Sequence, residues 1–501
     1  MLRRVPERRV QAAVAEGPVA VIDVGSNSIR LVVYERLSRA PAVLHNEKVS
    51  CGLGRCLFGT GRLDRGGVAC AFANLPRFLA LCDGMGVTQL NIVATAAVRE
   101  ASDGREFAEE AAKRCGVRMQ ILSGDEEARL SAFGVIAGNP GAHGVAGDLG
   151  GSSLEMIALD RGKPGRSATL ALGPLQLAEE SGGNVDAAAK IAKNRFEAPA
   201  WLSNRKGETF FAVGGAWRAL AKFHMARTGY PLPVIHNFEM DVDEARETIS
   251  LATRIDPETK VPGVAKARMR ALPYAAILLK RVMAEMEPSR IVFSAFGLRE
   301  GCLYELLPEA MRAEDPLIAA CRDLARRTEG SGLSGETLLA WTAPLFPEET
   351  AEQKRLRFAA CLLCDIAKRD HPDFRAAQAF ERSLFVPAFG IDHKDRVFLG
   401  LALFARHKGD IQSPLTRRVR GLVGAKERER AVLLGRALRL AHTVAAGVED
   451  LLARTQLELT RKTLALRLNT GAESLDGEAV GKALTPVAEI LGRRPEILRK
   501  E

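Results

Sequence analysis

Short apolar runs alternate with amphipathic stretches over the first three hundred residues of this chain. The apolar runs are rich in β-branched residues and predict strands at 19–22, 29–34, 42–49, 89–94, 118–122, 210–213 and 291–293. Helical periodicity at 68–85 and 104–115 predicts helices between them. Strands that alternate with helices predict an α/β architecture for this part of the chain.

The pattern changes beyond about residue 309. Amphipathic helical stretches dominate, for example at 316–327, 351–369 and 395–407. The span 411–440 is rich in Arg and Lys, and one short β-like run follows at 464–468. The sequence therefore predicts a mostly helical region and then a small α/β unit.

One local pattern occurs twice: an apolar strand, an Asp, a turn of small residues and a second strand. Asp23-x-Gly25-Ser26 in the first copy aligns with Asp148-x-Gly150-Gly151 in the second. Gly25 is expected to allow a backbone conformation that a side chain would obstruct. The backbone N–H groups of such a turn can hold a phosphate, and the carboxylate beside it can hold a cation. An ordinary β-hairpin explains either copy alone, but the repetition favours a two-sided phosphate site.

The charge balance agrees with an anionic partner. The 501 residues carry 71 Lys and Arg against 61 Asp and Glu, a net charge of +10. That excess suits nucleic acid, polyphosphate, a nucleotide or a membrane surface, and a basic surface without a partner also explains it. The nine cysteines are scattered and odd in number, which is typical of reduced thiols in the cytosol.

The sequence does not predict a signal peptide or a membrane span. Residues 1–17 are basic and then alanine-rich, without the apolar core of a signal peptide, and we expect a flexible tail. No apolar run has the length of a membrane span, so a cytoplasmic location is expected. Cys361 and Cys364 have a metal-like spacing without a second pair nearby, and are interpreted as one face of a buried helix.

Six short motifs resemble those of the Ppx/GppA family of exopolyphosphatases and guanosine pentaphosphate phosphohydrolases, within the actin/hexokinase/Hsp70 (ASKHA) superfamily. They occur in the family's order at 22–31, 94–99, 123–129, 148–155, 213–218 and 297–301. The resemblance implies two actin/hexokinase-like (RNase H-like) domains around a cleft, then a mostly helical HD-like domain and a small C-terminal α/β unit. The expected boundaries are 18–135, 136–308, 309–430 and 431–501, after the tail at 1–17.

The resemblance also implies an activity. We expect hydrolysis of the terminal phosphoanhydride of inorganic polyphosphate, assisted by Mg²⁺, with Mn²⁺ as an alternative. The other expectations considered are hydrolysis of guanosine pentaphosphate (pppGpp), which would connect the protein to the stringent response, and a regulator that binds (p)ppGpp or polyphosphate. Nucleic acid is not expected as a partner. A homodimer is expected only because it is common among relatives.

Residue roles follow from the motifs and from the chemistry of phosphoryl transfer, which needs positioning and charge neutralisation. Glu127 matches the family's general base, Arg99 a phosphate-binding arginine, and Glu155 a metal-linked catalytic carboxylate. Asp23 and Asp148 are further candidate ligands for the metal. The expected phosphate-binding residues are those of the two turns: Gly25, Ser26, Asn27, Ser28, Gly150, Gly151, Ser152 and Ser153. Arg417, Arg418 and Arg420 are candidates for binding a long polyanion, and a solvated basic helix face is the alternative.

Several residues have a plainer interpretation. Glu126 and Glu127 could both be first-turn acids of a helix capped by Ser123 or Asp125. Arg218 and Arg299 could pack in surface pairs, and His236 is expected to lie within the fold.

Two positions depart from the family pattern. Ser152 stands where relatives have a third glycine, which would tune the site without inactivating it. In the HD-like region the adjacent residues are Cys364 and Asp365, where an HD metal site needs His-Asp. A metal centre is therefore not expected there, and the region is assigned to substrate binding.

Overall fold

The computed structural model describes residues 17–327, 332–386 and 390–499. These residues form two compact units, the first ending at Glu314 and the second beginning at Asp315. Except for Gly17, the tail expected at 1–17 lies outside the described residues. In the described part of the chain, no helix combines the length and the apolar character needed to cross a membrane.

The first unit contains two sheets and the helices around them. Its strands are β1 Val19–Val24, β2 Ile29–Tyr34, β3 Val43–Val49, β4 Gln89–Ala94, β5 Gln120–Ile121, β6 Gly144–Leu149, β7 Leu154–Leu159, β8 Pro164–Leu170, β9 Thr209–Val213, β10 Phe238–Met240 and β11 Arg290–Phe293. Its helices are α1 Leu57–Thr60, α2 Arg65–Gly84, α3 Ala96–Glu100, α4 Gly104–Cys115, α5 Gly124–Gly138, α6 Pro174–Glu180, α7 Val185–Arg195, α8 Gly215–Thr228, α9 Val242–Ala252, α10 Lys266–Met269, α11 Leu272–Met286, α12 Leu298–Leu306 and α13 Glu309–Ala313. This mixed α/β architecture agrees with the expected fold class.

The two sheets repeat one arrangement. The strand order is β3-β2-β1-β4-β5 in the first sheet and β10-β11-β9-β6-β7-β8 in the second. In each sheet the Asp-bearing strand pairs antiparallel with the next strand and parallel with a later one: β1 with β2 and β4, β6 with β7 and β9. The registers place Asp23 opposite Arg30 and Asp148 opposite Glu155. The sequence repeat is therefore a structural repeat.

Separate apolar cores support the two sheets. The first packs β1, β2 and β4 against α2 and α4 through Leu75 and Phe78, among others. The second packs β6 and β9 against α8 and α11 around the fully buried Trp217. Cys302, Leu303 and Leu307 pack with the first sheet, although the sequence assigned 136–308 to the second domain. Apolar residues of α12 find their partners there, which periodicity alone does not reveal.

The second unit is mostly helical. Its helices are α14 Pro316–Arg327, α15 Gly335–Thr342, α16 Ala351–Leu362, α17 Arg375–Leu384, α18 His393–Arg406, α19 Pro414–Arg417, α20 Ala425–Ala445, α21 Glu449–Ala453 and α22 Glu478–Ile490. A three-stranded sheet of β12 Thr455–Leu459, β13 Thr463–Leu468 and β14 Arg494–Arg499 has the order β12-β13-β14.

Two details of the second unit differ from the sequence interpretation. The expected domain boundary between residues 430 and 431 lies inside α20, because its apolar periodicity continues without a break. The helix expected at 351–369 ends at Leu362, so Cys361 lies in the helix and Cys364 lies in the turn after it. Both thiols are buried, as expected.

Candidate active site

The two repeated turns are built alike. The N–H of Gly25 donates to the carbonyl of Ser28 at 3.1 Å, and the N–H of Gly150 donates to the carbonyl of Ser153 at 2.9 Å. Each turn therefore projects two residues from the end of its hairpin. Both turns line one cleft of the first unit, together with Asp23, Asp148 and Glu127. We call this pocket the cleft.

Ser152 joins the two turns. Its hydroxyl lies 3.0 Å from the hydroxyl of Ser26, a hydrogen-bonding distance in which either group can donate. Ser152 is not among the residues that line the cleft, whereas Gly151 and Ser153 are. The serine that replaces the family's third glycine thus links the two sides of the site.

Glycine suits the two turns for different reasons. A Cβ on Gly151 would lie 2.9 Å from the Leu175 side chain and 3.1 Å from the Cβ of Ser26, so the close approach of the turns requires glycine there. At Gly25 the nearest atom would be the Ser28 carbonyl at 3.5 Å, and the backbone is not left-handed. The expectation that a side chain would obstruct the backbone at Gly25 is therefore wrong. Glycine there keeps open the floor of the cleft beside Asp23.

Burial and nearby charges control the ionisation of the two aspartates. Ser131 on α5 donates a hydrogen bond to Asp148 Oδ2. Burial raises the pKa of both Asp23 and Asp148. Nearby carboxylates raise it further, Asp148 and Glu300 for Asp23, and Glu300 for Asp148. Arg299 works in the opposite direction on both. These shifts mean that extra positive charge in the cleft would stabilise the ionised carboxylates.

Glu126 and Glu127 divide the two roles considered for them. Ser123 caps α5 by accepting from the N–H of Glu126, and the Glu126 carboxylate accepts from the N–H of Ser123 at 2.8 Å. This is a capping box, so Glu126 serves the helix. Glu127 is 7% exposed and lines the cleft. Both glutamates thus lie in the first turn of α5, but only Glu126 takes part in the cap, and Glu127 faces the cleft.

Arg99 connects the two candidate catalytic glutamates. Its Nη1 donates to Glu127 Oε2 at 2.7 Å and to the Leu122 carbonyl at 3.1 Å. Its Nη2 lies 3.7 Å from Glu155 Oε1. The structure thus brings Arg99, Glu127 and Glu155 together. Arg99 faces these carboxylates, and its expected role as a phosphate ligand stays a prediction.

Glu155 is the most deeply buried acid of the group. It is 1% exposed, and neither carboxylate oxygen makes a hydrogen bond. Burial, together with the charges of Glu127 and Asp148, raises its pKa well above the usual value. Burial also raises the pKa of Glu127 to about 7, against the opposing pull of Arg99. A buried carboxylate that makes no hydrogen bond has the chemistry of a metal ligand, since Mg²⁺ prefers oxygen ligands.

The expected metal ligands fit a partial shell. In the described part of the chain, Asp23, Asp148 and Glu155 do not form a group with all ligand atoms within 4.8 Å of one another. These three carboxylates therefore do not form a closed protein shell around an ion. That matches Mg²⁺, which keeps several waters and takes the remaining ligands from substrate phosphates.

Five cations complete the cleft, and sequence reasoning missed their role. All five side chains line the cleft, and they are Arg30, Lys48, Arg218, Arg268 and Arg299. Burial, followed by the charge of Arg268, lowers the pKa of Lys48 to about 8. Such mutual repulsion is typical of a site built for an anion.

Two of these arginines do not lie in the surface pairs that the sequence allowed for them. Arg218 donates to the carbonyls of Gly214 at 3.2 Å and Ala295 at 2.9 Å, and burial lowers its pKa to about 10. Arg218 and Arg299 are half-buried in the cleft wall, so the surface-pair interpretation is wrong for both. His236 is buried beside Phe296, as expected.

The sequence contained a signal for Lys48 but none for Arg268. Lys48 lies opposite Arg30 in the pairing of β2 with β3, so strand alternation places both on one face. Arg268 lies on the short helix α10, far along the chain from both turns. The start of α8 also lines the cleft through Gly215 and Ala216, and its N–H groups favour an anion there.

The basic cluster of the second unit is largely committed to internal contacts. Arg420 donates to the Ile411 carbonyl and to Gln412, and Arg428 donates to the carbonyls of Arg420 and Val423. Arg417 and Arg418 are exposed. Arg420 and Arg428 thus make contacts within the unit, and a polyanion role remains a prediction for Arg417, Arg418 and Arg420.

Comparison with known proteins gives consistent matches. Residues 31–310 match the model of the Ppx/GppA phosphatase family, and residues 317–498 match the model of the exopolyphosphatase C-terminal region. The chain is 24% identical over 439 residues to retrograde regulation protein 2 of Saccharomyces cerevisiae, covering 78% of this chain and 73% of the yeast protein.

Solved structures support the fold. A Cytophaga hutchinsonii exopolyphosphatase has a TM-score of 0.53 at 19% identity, covering 58% of this chain and 97% of its own. An exopolyphosphatase-like protein has a TM-score of 0.52 at 21% identity, covering 58% of this chain and 98% of its own.

The first family match spans more than half of the chain, and the motifs that form the cleft lie inside it or at its edge. Members of that family are phosphatases that hydrolyse phosphoanhydride bonds. The chain therefore belongs to the Ppx/GppA phosphatase family.

Proposed function

We propose that this protein is an exopolyphosphatase that removes the terminal phosphate of inorganic polyphosphate as orthophosphate. The observation that carries the proposal is the composition of the cleft. Two hairpin turns, the start of α8 and five cations surround a group of acids that includes Glu127. In this combination the turns and cations suit a chain of phosphates, and the acids suit activation of a water molecule.

The residues define a single hydrolytic step. The backbone N–H groups of the turns and the cations hold the terminal phosphoryl group. Arg99 holds one oxygen of Glu127, which leaves the other oxygen to accept a proton from water. The water oxygen bonds to the terminal phosphorus as the bond to the bridging oxygen breaks. The shortened chain leaves with the bond electrons on its new terminal oxygen, and the water proton goes to Glu127.

We propose Mg²⁺ as the metal of this site, with Mn²⁺ as the alternative. Asp148 and Glu155 are the preferred ligands, and Asp23 is the third candidate. The bound ion would neutralise charge on the phosphate oxygens. Asp148 and Glu155 face each other across β6 and β7, which places both at the same end of the second sheet.

Polyphosphate is favoured over guanosine pentaphosphate by the cleft wall. Among the described residues that line it, none is aromatic, and the apolar ones are small or aliphatic. A guanine base would need a stacking partner or an apolar slot. A uniform polyanion needs only cations and backbone donors, which the cleft has.

The test is release of orthophosphate from long polyphosphate, short polyphosphate and guanosine pentaphosphate, each with and without Mg²⁺. We expect the highest kcat/KM with polyphosphate and dependence on Mg²⁺. A higher kcat/KM with guanosine pentaphosphate would show that guanosine pentaphosphate is the preferred substrate, in place of polyphosphate. Binding of these compounds without hydrolysis would instead indicate a regulator.

The pH profile should report the base. The pKa of Glu127 is raised to about 7, and a base must be deprotonated to accept a proton. We expect kcat/KM at low Mg²⁺ to fall below about pH 7. More Mg²⁺ should move this acid limb to lower pH, because added positive charge stabilises the ionised carboxylate. A profile that stays flat well below that pH would contradict the assignment.

Mg²⁺ should stabilise the fold more at high pH than at low pH. Glu127 and Glu155 have raised pKa values, so the folded protein binds their protons more tightly than the unfolded chain does. The stability of the metal-free protein therefore falls as pH rises from the unfolded pKa through the folded one. We expect Mg²⁺ to raise Tm more at about pH 8 than at about pH 5.5.

The control for this measurement is Glu155→Gln, which removes the ionisable carboxyl group at similar volume. Its Mg²⁺-dependent rise in Tm should be smaller than that of the wild type. Equal rises at both pH values, or a wild-type response in Glu155→Gln, would exclude Glu155 from the metal site.

A further inference from the structure

Three potential metal ligands meet in the second unit, and none of them belongs to the cleft. Cys364 and Asp365 lie in the turn after α16, and His442 lies near the end of α20. Cys364 Sγ is 3.6 Å from His442 Nε2, which is 3.5 Å from Asp365 Oδ1. The three ligand atoms lie within 4.8 Å of one another, the only such group in the described part of the chain.

The carboxylate of this group is poorly satisfied. Both oxygens of Asp365 are buried and make no hydrogen bond. Two cations lie at the outer limit of hydrogen-bonding distance: Lys368 Nζ is 3.6 Å from Asp365 Oδ2, and Arg406 Nη2 is 3.5 Å from Asp365 Oδ1. Buried carboxylate oxygens are costly without close partners. A ligand between the three side chains would supply one.

We propose that Cys364, Asp365 and His442 form a zinc site. Thiolate and imidazole ligands favour Zn²⁺ over Mg²⁺, which prefers oxygen. The proposal does not depend on the proposed function of the cleft in the first unit. The sequence lacked a His beside Asp365 and so predicted no metal centre. The fold supplies a histidine from α20 instead.

Three protein ligands leave a fourth position on a tetrahedral ion. Cys364 and Asp365 line a second pocket together with Arg322, Arg326 and Lys368. That pocket gives the ion a route to solvent. The surrounding cations oppose a bare dication, and they favour hydroxide or another small anion as the fourth ligand.

The protonation states set the cost of binding. Burial and the charge of Arg406 lower the pKa of His442 to about 4, so its imidazole is neutral at neutral pH. Burial raises the pKa of Cys364 well above its usual value. Zinc must therefore displace the thiol proton to solvent as the sulfur–metal bond forms.

The test uses the full chain without a histidine tag, freed of metal by a chelator and kept in excess Mg²⁺. Co²⁺ serves as the spectroscopic probe, and Zn²⁺ is then added in competition. We expect about one Co²⁺ per chain, with a thiolate-to-cobalt charge-transfer band that Zn²⁺ removes. Cys364→Ser should lose the band, and His442→Gln should lower Zn²⁺ affinity by more than about 10-fold.

Cys361→Ser is the matched control, since Cys361 is a buried thiol one helical turn earlier and outside the group. It should keep the band and the Zn²⁺ affinity. Circular dichroism spectra establish that each variant is folded, and His442→Gln carries the test should Cys364→Ser not fold. Absence of the band in the wild type, or wild-type Zn²⁺ affinity in His442→Gln, would overturn the proposal.

Discussion

Glu127→Gln is expected to lower kcat on polyphosphate by ~10²–10⁴-fold, the usual contribution of a general base. The amide keeps the volume of the side chain and can still contact Arg99, but it cannot take the proton of the attacking water. Polyphosphate binding should persist, because the turns and the five cations are unchanged. The measurement is orthophosphate release, combined with equilibrium binding of polyphosphate.

Glu126→Gln is the matched control for that experiment. Glu126 closes the capping box of α5, and glutamine can serve the same role at that position. The variant should therefore keep wild-type turnover. Full activity in Glu127→Gln would remove Glu127 as the base, and equal losses in both variants would show that disturbance of α5 causes the effect.

Arg268→Ala is expected to lower kcat/KM for polyphosphate by ~10–10²-fold. The side chain lines the cleft, and its guanidinium lies against Gly215 at the start of α8. A hydrogen bond to a charged group contributes about 1.5–3 kcal/mol, which corresponds to this loss. Steady-state kinetics with short and long chains measure the effect, and both should be affected because the cleft holds the terminal phosphates.

Arg270→Ala tests whether the loss comes from position or from net charge. Arg270 follows α10 directly, is exposed and lies 3.6 Å from Glu258. Removing it changes the net charge equally but leaves the cleft intact, so kcat/KM should stay close to wild type. Equal losses in Arg268→Ala and Arg270→Ala would indicate long-range steering by net charge and would remove Arg268 from the site.

The parts of the site that sequence could predict are those encoded locally. Each Asp-turn unit is one hairpin, and its pairing follows from the alternation of apolar residues on both sides of the turn. The capping box at Ser123 is likewise set by a four-residue pattern. The periodicity of helix α5 implies that Glu127 faces a different direction from Glu126, although the sequence alone did not separate their roles.

The parts that sequence missed depend on long-range packing. Arg268 reaches the cleft because α10 lies against α8, and no pattern near residue 268 indicates that contact. Similarly, α12 packs on the first sheet after the chain has completed the second. His442 approaches Cys364 only through the packing of the second unit. Such contacts join residues far apart in the chain, and periodicity is a local signal.

Ser152, which the sequence predicts to tune the site, makes a contact that the sequence does not reveal. Its hydroxyl contacts Ser26 on the opposite turn instead of lining the cleft. A glycine there would lose this contact between the turns while keeping the backbone donors.

The most direct test of the central claim is a time course with long polyphosphate and Mg²⁺ that measures both released orthophosphate and the lengths of the remaining chains. We predict that orthophosphate appears from the first turnover, one per terminal cleavage, without products of intermediate length produced by internal cuts, and that Glu127→Gln stops its release. Internal fragments without orthophosphate, or no cleavage of polyphosphate by the wild type, would contradict the account.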